Sequence, residues 1–567
     1  MNQSKQTARG SESGIDRRFV QPGADVFAGV AARERAKLGP GETLVFPLTL
    51  RLLADQLTPV LAYRRLVAPD ERTAPSFLFE SVEGGERQGR YSILSSRPTL
   101  EVVAYQNEVR VHAHDPEAWP EGDARLHEPR PLEVPRRLTR RHRMARFEGR
   151  ELGSPLPACL LGGWVGFAGY DSVRYAEAEK LPFSAAPRDD RGLPDLHFGF
   201  YDGVVIFDNV EKTVVLVQLA MIPPGADAGA CFERAASKLE RRAAEIQAQA
   251  RPMPSGCMPP AGSIDLASAG SRATSNFTRE QHAAMLDKAL GYIRAGDIFQ
   301  VVLGQRFERE SSVDPFDVYR ALRAVNPSPY MVYAQGEGTI LIASSPEILC
   351  RVRRKAGRDG REAMVVTNRP LAGTRRRGAT PEEDAAMEKE LLADPKERAE
   401  HTMLVDLGRN DLGMVCRAGT VSLDAVMEIE RYSHVMHISS TVTGELRDGL
   451  DCWDALAATL PVGTISGAPK IRAMQVIDEL EPVKRGPYGG GIGYVGVDGQ
   501  MDVALALRTI VVPVAKRRGS KWVYHLQASG GIVADSKAQP EFEETVNKAA
   551  AMSRAVEVAE RAFGTVQ

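Results

Sequence analysis

Over residues 44–208 the apolar residues arrive in short runs. Phe77, Leu78 and Phe79 form one, and residues 102–105, 160–167 and 204–207 form others. Runs of that length suit strands, because a helix needs a longer periodic stretch to bury one face. From residue 276 onward, strand-like runs and helix-like patterns are interleaved irregularly. No period of about 20–50 residues repeats, which argues against a solenoid. Nor are the strands spaced by regular single helices, which argues against a doubly wound sheet or a TIM barrel.

The punctuation divides the chain. Residues 1–40 are polar and poorly patterned, and read as a flexible leader with one helix near 27–38. Residues 41–250 form the strand-rich unit, ending in an amphipathic, charge-laced helix over 231–250. Residues 251–275, rich in Pro, Ser, Ala and Gly, read as a linker. Order restarts at Asn276, and Thr278 stands where a helix to Ala295 needs an N-cap, so 276–567 is the second unit. Lys and Arg number 72 against 74 Asp and Glu, a net charge of −2. That balance argues against a protein that tracks nucleic acid. The basic run Arg140, Arg141, His142, Arg143, Arg146 and Arg150 therefore reads as a solvated surface loop. No stretch reaches the ~18 apolar residues of a membrane helix. Residues 1–14 lack the apolar core of a signal peptide, so a cytoplasmic location is expected. The six cysteines show no C-x-x-C pair, and neither a disulfide frame nor a zinc knuckle is suggested.

Two motifs mislead. Gly491, Gly493 and Gly496 match G-x-G-x-x-G, but a dinucleotide site needs that run to open a helix, and residues 494–497 read as a strand. Gly467, Ala468, Pro469 and Lys470 fail the P-loop spacing. Two acidic pairs are more informative. Glu397 and Glu400 follow Asp394 and Pro395, an N-cap and a first-turn proline, with a helix expected to about Leu407. Glu541 and Glu544 follow Pro540 in the same way. A spacing of three places each pair on one helix face, and four carboxylates suit a hard cation such as Mg²⁺. Helix capping competes as an explanation for Glu397 and Glu541, less so for Glu400 and Glu544, which lie later. His437 sits in an apolar run where a satisfied core histidine is the default. Arg508 closes the apolar run 503–507, and Lys548 lies one turn after Glu544. Ser529, Gly530 and Gly531 offer a close-approach backbone suited to an anion. From the residues alone the reading stops at a divalent-metal enzyme acting on a small anion.

The motif set is more specific. Residues 370–375 (PLAGTR), 404–411 (LVDLGRND), 463–470 (GTISGAPK) and 532–536 (IVADS), with Glu544 and Thr545, resemble the chorismate-utilising enzymes and, among them, the anthranilate synthase aminase subunits. The resemblance spans roughly 45–560. It implies an α+β fold, with antiparallel sheets forming the core and helices packed outside. Relatives that add water to chorismate carry a lysine base where this chain has Gln300, which cannot abstract a proton. Aminodeoxychorismate synthases usually carry lysine at the position of Ala372. Both positions favour anthranilate formation, with aminodeoxychorismate synthase, or another chorismate aminase that stops before pyruvate loss, as the alternative.

By resemblance, Mg²⁺ would be held by Glu397, Glu400, Glu541 and Glu544. Tyr488, Arg508, Lys548, Gly530 and Gly531 would hold the substrate, as would Ala372, Gly373 and Thr374. Glu347 would be the general acid, with His437 and Thr464 beside the ring and Gln300 at the nucleophile. None of the cysteines stands in the Gly-x-Cys-x-Gly elbow of a class I glutaminase. Ammonia is therefore expected from a glutamine amidotransferase partner subunit. A feedback tryptophan site is implied at Glu80, Ser81 and Arg90, with Asn326, Pro327, Ser328, Pro329, Tyr330 and Met331 as its other wall. Two positions depart from the pattern: Arg376 replaces a common proline, and Ser529-Gly530-Gly531 replaces a more usual Gly-Ala-Gly.

Overall fold

A computed structural model of the chain describes residues 17–53, 55–68, 74–83, 87–248, 253–260, 264, 272–357, 360–432 and 435–564. Two large sheets, of 13 and 12 strands, form its centre. The ladders are antiparallel, except where Thr43–Val45 runs parallel to His142–Met144. The sheets pack face to face. Phe77, Ile93, Val204 and Ile206 of one meet Val165, Tyr201 and Tyr494 of the other. A neighbouring cluster joins Val332, Leu341 and Val511 to Phe167 and Ile492. Alternation along each strand sends these side chains inward. Helices Ala24–Arg35, Pro59–Leu66, Ala228–Gln247, Pro315–Val325 and Ala538–Phe563 cover the outer face of the larger sheet. Cys452–Thr459 packs on the smaller. This is the expected α+β architecture. The run 491–496 is a strand, paired with Gly163–Ala168, and opens no helix.

The expected division into 41–250 and 276–567 does not separate two sheets. Ser76–Glu80 pairs with Tyr330–Gly336, and Gly163–Ala168 with Gly491–Gly496, so both halves build both sheets. Strand pairing satisfies backbone groups wherever edges meet, and composition does not record which edges those are. The described part of the expected linker lies on the protein. Met253 and Ile264 pack into the core, and Thr274–Ser275 joins the edge of Gln300–Ser311. Of the expected flexible leader, residues 1–16 lie outside the described residues. The remainder is folded: the Phe27 ring lies tilted 4.5 Å from that of Phe46 and edge-on 5.1 Å from that of Phe232, centre to centre. Within the basic segment, Arg143 pairs with Glu42 at 2.7 Å, and Arg140, Arg141, Arg146 and Arg150 are exposed.

The chain passes between the sheets through short crossings. One is Pro346 and Glu347, between Thr339–Ser345 and Ile348–Ala356. The return lies at 506–508, between Met501–Leu505 and Thr509–Pro513. The two crossings are tied together: Leu505 N donates to Glu347 O at 3.0 Å, and Ser344 N to Arg508 O at 3.1 Å.

Candidate active site

These crossings place Glu347 and Arg508 at the seam. Glu347 is 2% exposed. Burial pushes its carboxyl up to about 8, against the opposing pull of hydrogen bonds from Thr464 and from the Leu371 backbone. The Thr464 hydroxyl donates to Glu347 Oε1 at 2.9 Å. A carboxyl held neutral near pH 7, with one oxygen occupied, is equipped to give up a proton.

His437 lies on strand Val435–Glu445 opposite Thr374. A bulge between Ala372 and Thr374 puts Gly373 at φ +71°, a conformation that favours glycine, and turns its carbonyl toward the imidazole. His437 Nδ1 lies 3.0 Å from Gly373 O and 3.0 Å from Thr374 Oγ1. A carbonyl only accepts, so Nδ1 carries the hydrogen and Nε2 bears a lone pair. Arg508 Nη2 approaches that lone pair at 3.5 Å. Burial, reinforced by the Arg508 charge, lowers His437 to about 4. The ring is therefore a neutral base at physiological pH. Arg508 makes no ion pair among the described residues, burial lowering it with only Tyr432 opposing, and its backbone is left-handed at φ +46°. Strain of this kind collects at functional sites. An unpaired guanidinium fits a carboxylate of a ligand.

Across from them, Gln300–Ser311 pairs with Trp522–Ile532, matching Val302 to Gly531 and Leu303 to Gly530. Gln300 is buried and donates through Nε2 to Glu400 Oε1 at 3.2 Å, while its Oε1 has no hydrogen-bond partner among the described residues. A side chain at Gly531 would come within 2.8 Å of that amide nitrogen, and one at Gly530 within 3.3 Å of Glu541 Oε2. The glycines admit the carboxylates to the sheet. Tyr488 donates to Ser529 Oγ at 3.0 Å, and Lys548 to Ser529 O at 2.9 Å. Ser529 thus organises both expected ligand-binding side chains. Sequence reading singled out Ser529 for its backbone alone and missed this pair of contacts, because a serine in a strand has many uses.

The two acidic pairs stand on the expected helices. Asp394 caps Pro395–Gly413, accepting from Lys396 N at 3.0 Å and Glu397 N at 3.3 Å; the helix runs six residues beyond the expected end. Glu541 and Glu544 lie on Ala538–Phe563. Glu397 accepts from Arg375 at 3.3 Å and Glu544 from Lys548 at 2.6 Å. Among the described residues, Glu400 and Glu541 have no such cation at hydrogen-bond distance. Burial raises both above the usual carboxylate range, and the neighbouring carboxylates add to it. Glu541 Oε2 is buried without a hydrogen-bond donor. Among the described residues, no three His, Cys, Asp or Glu close around one point as a finished metal cage. An all-oxygen set with an orphaned buried carboxylate oxygen nevertheless fits a hard cation that keeps places for water and ligand oxygens.

A separate cavity of about 760 Å³ opens between the sheets. Of the expected feedback residues, Glu80, Ser81, Arg90, Pro329, Tyr330 and Met331 line it; Asn326, Pro327 and Ser328 do not. Asn326 ends helix Pro315–Val325, and Ser328 donates to Ser344 O at 3.2 Å. Glu80 is already matched by Tyr319 (2.7 Å) and Arg323 (2.9 Å), and Arg90 by Asp208 (2.9 Å). Sequence reading missed Arg351, Arg353 and Asp502, which also line the cavity. Tyr330 donates to Asp502 at 2.8 Å, and Arg351 and Arg353 reach the same carboxylate at 3.0 and 2.9 Å. The one available signal was Tyr494, inside the misleading glycine run, whose hydroxyl meets Arg353 at 2.8 Å.

Residues 76–554 match the chorismate binding enzymes. The chain belongs to that family. It is 49% identical over 540 residues to anthranilate synthase alpha subunit 1, chloroplastic, of Arabidopsis thaliana, spanning 92% of this chain and 87% of that protein. It is 42% identical over 517 residues to anthranilate synthase component 1 of Acetivibrio thermocellus, spanning 91% and 96%. The crystal structure of anthranilate synthase component I from Streptococcus pneumoniae TIGR4 superposes with a TM-score of 0.65 at 33% identity, covering 89% of this chain and 99% of that one. The family match covers Glu347, Thr464, His437, Arg508 and both acidic pairs. Among the described residues, no helix is long and apolar enough to cross a membrane.

Proposed function

We propose that this chain is the aminase subunit of an anthranilate synthase, forming anthranilate and pyruvate from chorismate and ammonia by way of 2-amino-4-deoxyisochorismate. The observation that carries the reading is geometric: a buried Glu347 with one oxygen held by the Thr464 hydroxyl, and a buried His437 whose Nδ1 is committed to Gly373 O and whose Nε2 bears a lone pair; burial pushes the first up to about 8 and the second down to about 4. Glu347 gives its proton to the departing C4 hydroxyl while ammonia adds at C2. Gln300 presents an unpartnered carbonyl oxygen and no basic nitrogen, which suits a nucleophile that needs no deprotonation. In this reading His437, through the lone pair on Nε2, takes the proton lost from C2 as pyruvate leaves, and the Thr464 hydroxyl stays beside Glu347. Arg508, Lys548, Tyr488 and the backbone at Gly530 and Gly531 hold substrate anions, and Ala372, Gly373 and Thr374 form the facing edge.

Mg²⁺ belongs to the same proposal, held by Glu397, Glu400, Glu541 and Glu544; it would neutralise and orient a substrate carboxylate. A glutamine amidotransferase subunit is the proposed ammonia source, supported by the component and subunit names of the relatives. Tryptophan is the proposed feedback inhibitor, seated in the 760 Å³ cavity. A cytoplasmic location is proposed with these. The test is direct: purified chain, chorismate, Mg²⁺ and ammonium should yield fluorescent anthranilate. Accumulation of the amino intermediate, or untouched chorismate, would overturn the reading.

A further inference from the structure

The cavity has two unlike walls. Glu80, Ser81, Tyr330 and Met331 make one; Pro346, Arg369, Glu430 and Tyr432 make the other. The second wall backs directly onto the catalytic pair. Pro346 precedes Glu347 in the chain. Tyr432 is buried, and its ring meets the His437 ring edge to face, with centres 5.6 Å apart and planes at 61°. That separation lies inside the attractive range for aromatic pairs.

The other end of Tyr432 is held from the cavity side. Its hydroxyl donates to Glu430 Oε2 at 2.8 Å. Glu430 Oε1 forms an ion pair with Arg369, but the geometry yields no directed hydrogen bond there. The backbone of Tyr432 is fixed: its carbonyl accepts from Arg377 Nη1 at 2.7 Å, and its N–H donates to Val435 O at 2.8 Å. A fixed backbone thus carries a ring braced between a catalytic imidazole and an imperfectly directed ion pair on the cavity wall.

We propose that Tyr432 is a positioning residue for His437, and that an occupant of the cavity is felt at the catalytic pair through it. The first half stands on this geometry; the second rests on the feedback reading above. An amino-acid ligand carries both an ammonium and a carboxylate, and either competes for a member of the Arg369–Glu430 pair. As Glu430 is drawn toward the ligand, the Tyr432 hydroxyl bound to it follows, and the ring is pulled from the imidazole edge.

The full chain is assayed with chorismate, Mg²⁺ and ammonium, and L-tryptophan binding is followed by calorimetry. Tyr432→Ala should lower kcat about tenfold or more while KM for chorismate stays within about threefold. Tyr432→Phe keeps the ring and should recover kcat to within about threefold of the parent. It should still bind tryptophan, yet retain at saturation a residual rate about tenfold above that of the parent chain, a coupling loss of ordinary size. Glu430→Gln should give the same residual rate, and if Tyr432→Ala does not fold the kcat of Tyr432→Leu, which fills the space without an aromatic edge, is read in its place. Parental kcat in folded Tyr432→Ala overturns the positioning role. Full silencing of both Tyr432→Phe and Glu430→Gln by saturating tryptophan overturns the coupling. A parent chain that does not bind tryptophan defeats the feedback reading and the coupling with it, while the kcat comparison still decides the positioning role.

Discussion

Replacing Thr464 with valine should move the alkaline limit of activity upward. The Thr464 hydroxyl donates to Glu347 Oε1 at 2.9 Å and pulls the carboxyl down against burial, the balance of the two standing at about 8. Valine fills the same space but donates nothing. A hydrogen bond to a charged group is worth about 1.5–3 kcal/mol, or about 1–2 pH units in the affinity of the carboxyl for its proton. The sign is fixed, because the lost bond favoured the ionised form. Glu347 should then stay protonated to about pH 9 or beyond. The assay is the pH dependence of kcat/KM for anthranilate release, with free ammonia rather than total ammonium held constant. The parent rate should fall as pH rises through about 8, and should also fall as pH drops through about 4, where His437 gains its proton. The plateau for Thr464→Val lies lower, but only the position of the limb matters. Thr464→Ser keeps the donor and should leave the limb in place. A Thr464→Val limb that stays near 8 or moves down would refute the assignment of Glu347 as the proton donor.

Three further outcomes are expected. Gly531→Ala would set a methyl 2.8 Å from Gln300 Nε2. It should fold, as judged by circular dichroism, but lose on the order of a hundredfold in kcat through a displaced amide, so near-parental turnover would count against a role for Gln300. Glu541→Gln should raise the Mg²⁺ concentration giving half-maximal rate by at least about tenfold, a size reached even when only outer-shell partners of a metal are lost; chelation should abolish turnover reversibly, and activity indifferent to both would remove the metal from the proposal. Arg485 is wholly buried, pairs with Glu481 at 2.6 Å and donates to the carbonyls of Ile465 and Val302. Arg485→Met alone should cost about 3–5 kcal/mol in urea unfolding, and adding Glu481→Leu should return part of it; a loss below about 1 kcal/mol would contradict this.

What was legible in the sequence was what local chemistry controls. Asp394 and Pro395 announce a helix start because capping needs only neighbouring backbone groups, and that start fixes where Glu397 and Glu400 point. The strand character of 44–208 followed from run length. The relation between the halves did not, because Phe79 opposite Val332 and Phe167 opposite Ile492 are pairings that no local pattern encodes. His437 in an apolar run predicted a satisfied core histidine. It is buried and hydrogen-bonded, yet its second nitrogen faces Arg508, and only the fold brings that residue to it. Glu347 carried no signal of burial, since its environment is built by Thr464 and Leu371 from elsewhere in the chain. The expected leader was misjudged for a related reason: Phe27 and Val30 are sparse in sequence, but both are inserted into the main core.

The interleaved sheets also govern how the chain can be made. Strand Ser76–Glu80 leaves the ribosome long before Tyr330–Gly336, its neighbour in the finished sheet, and Gly163–Ala168 long before Gly491–Gly496. Through most of synthesis the nascent chain therefore presents open strand edges, the feature most prone to wrong pairing. Such distant pairings also make for slow folding after release. Expressed alone, the first 250 residues should need chaperones or aggregate, and co-expressed halves should recover each other only if both are made together.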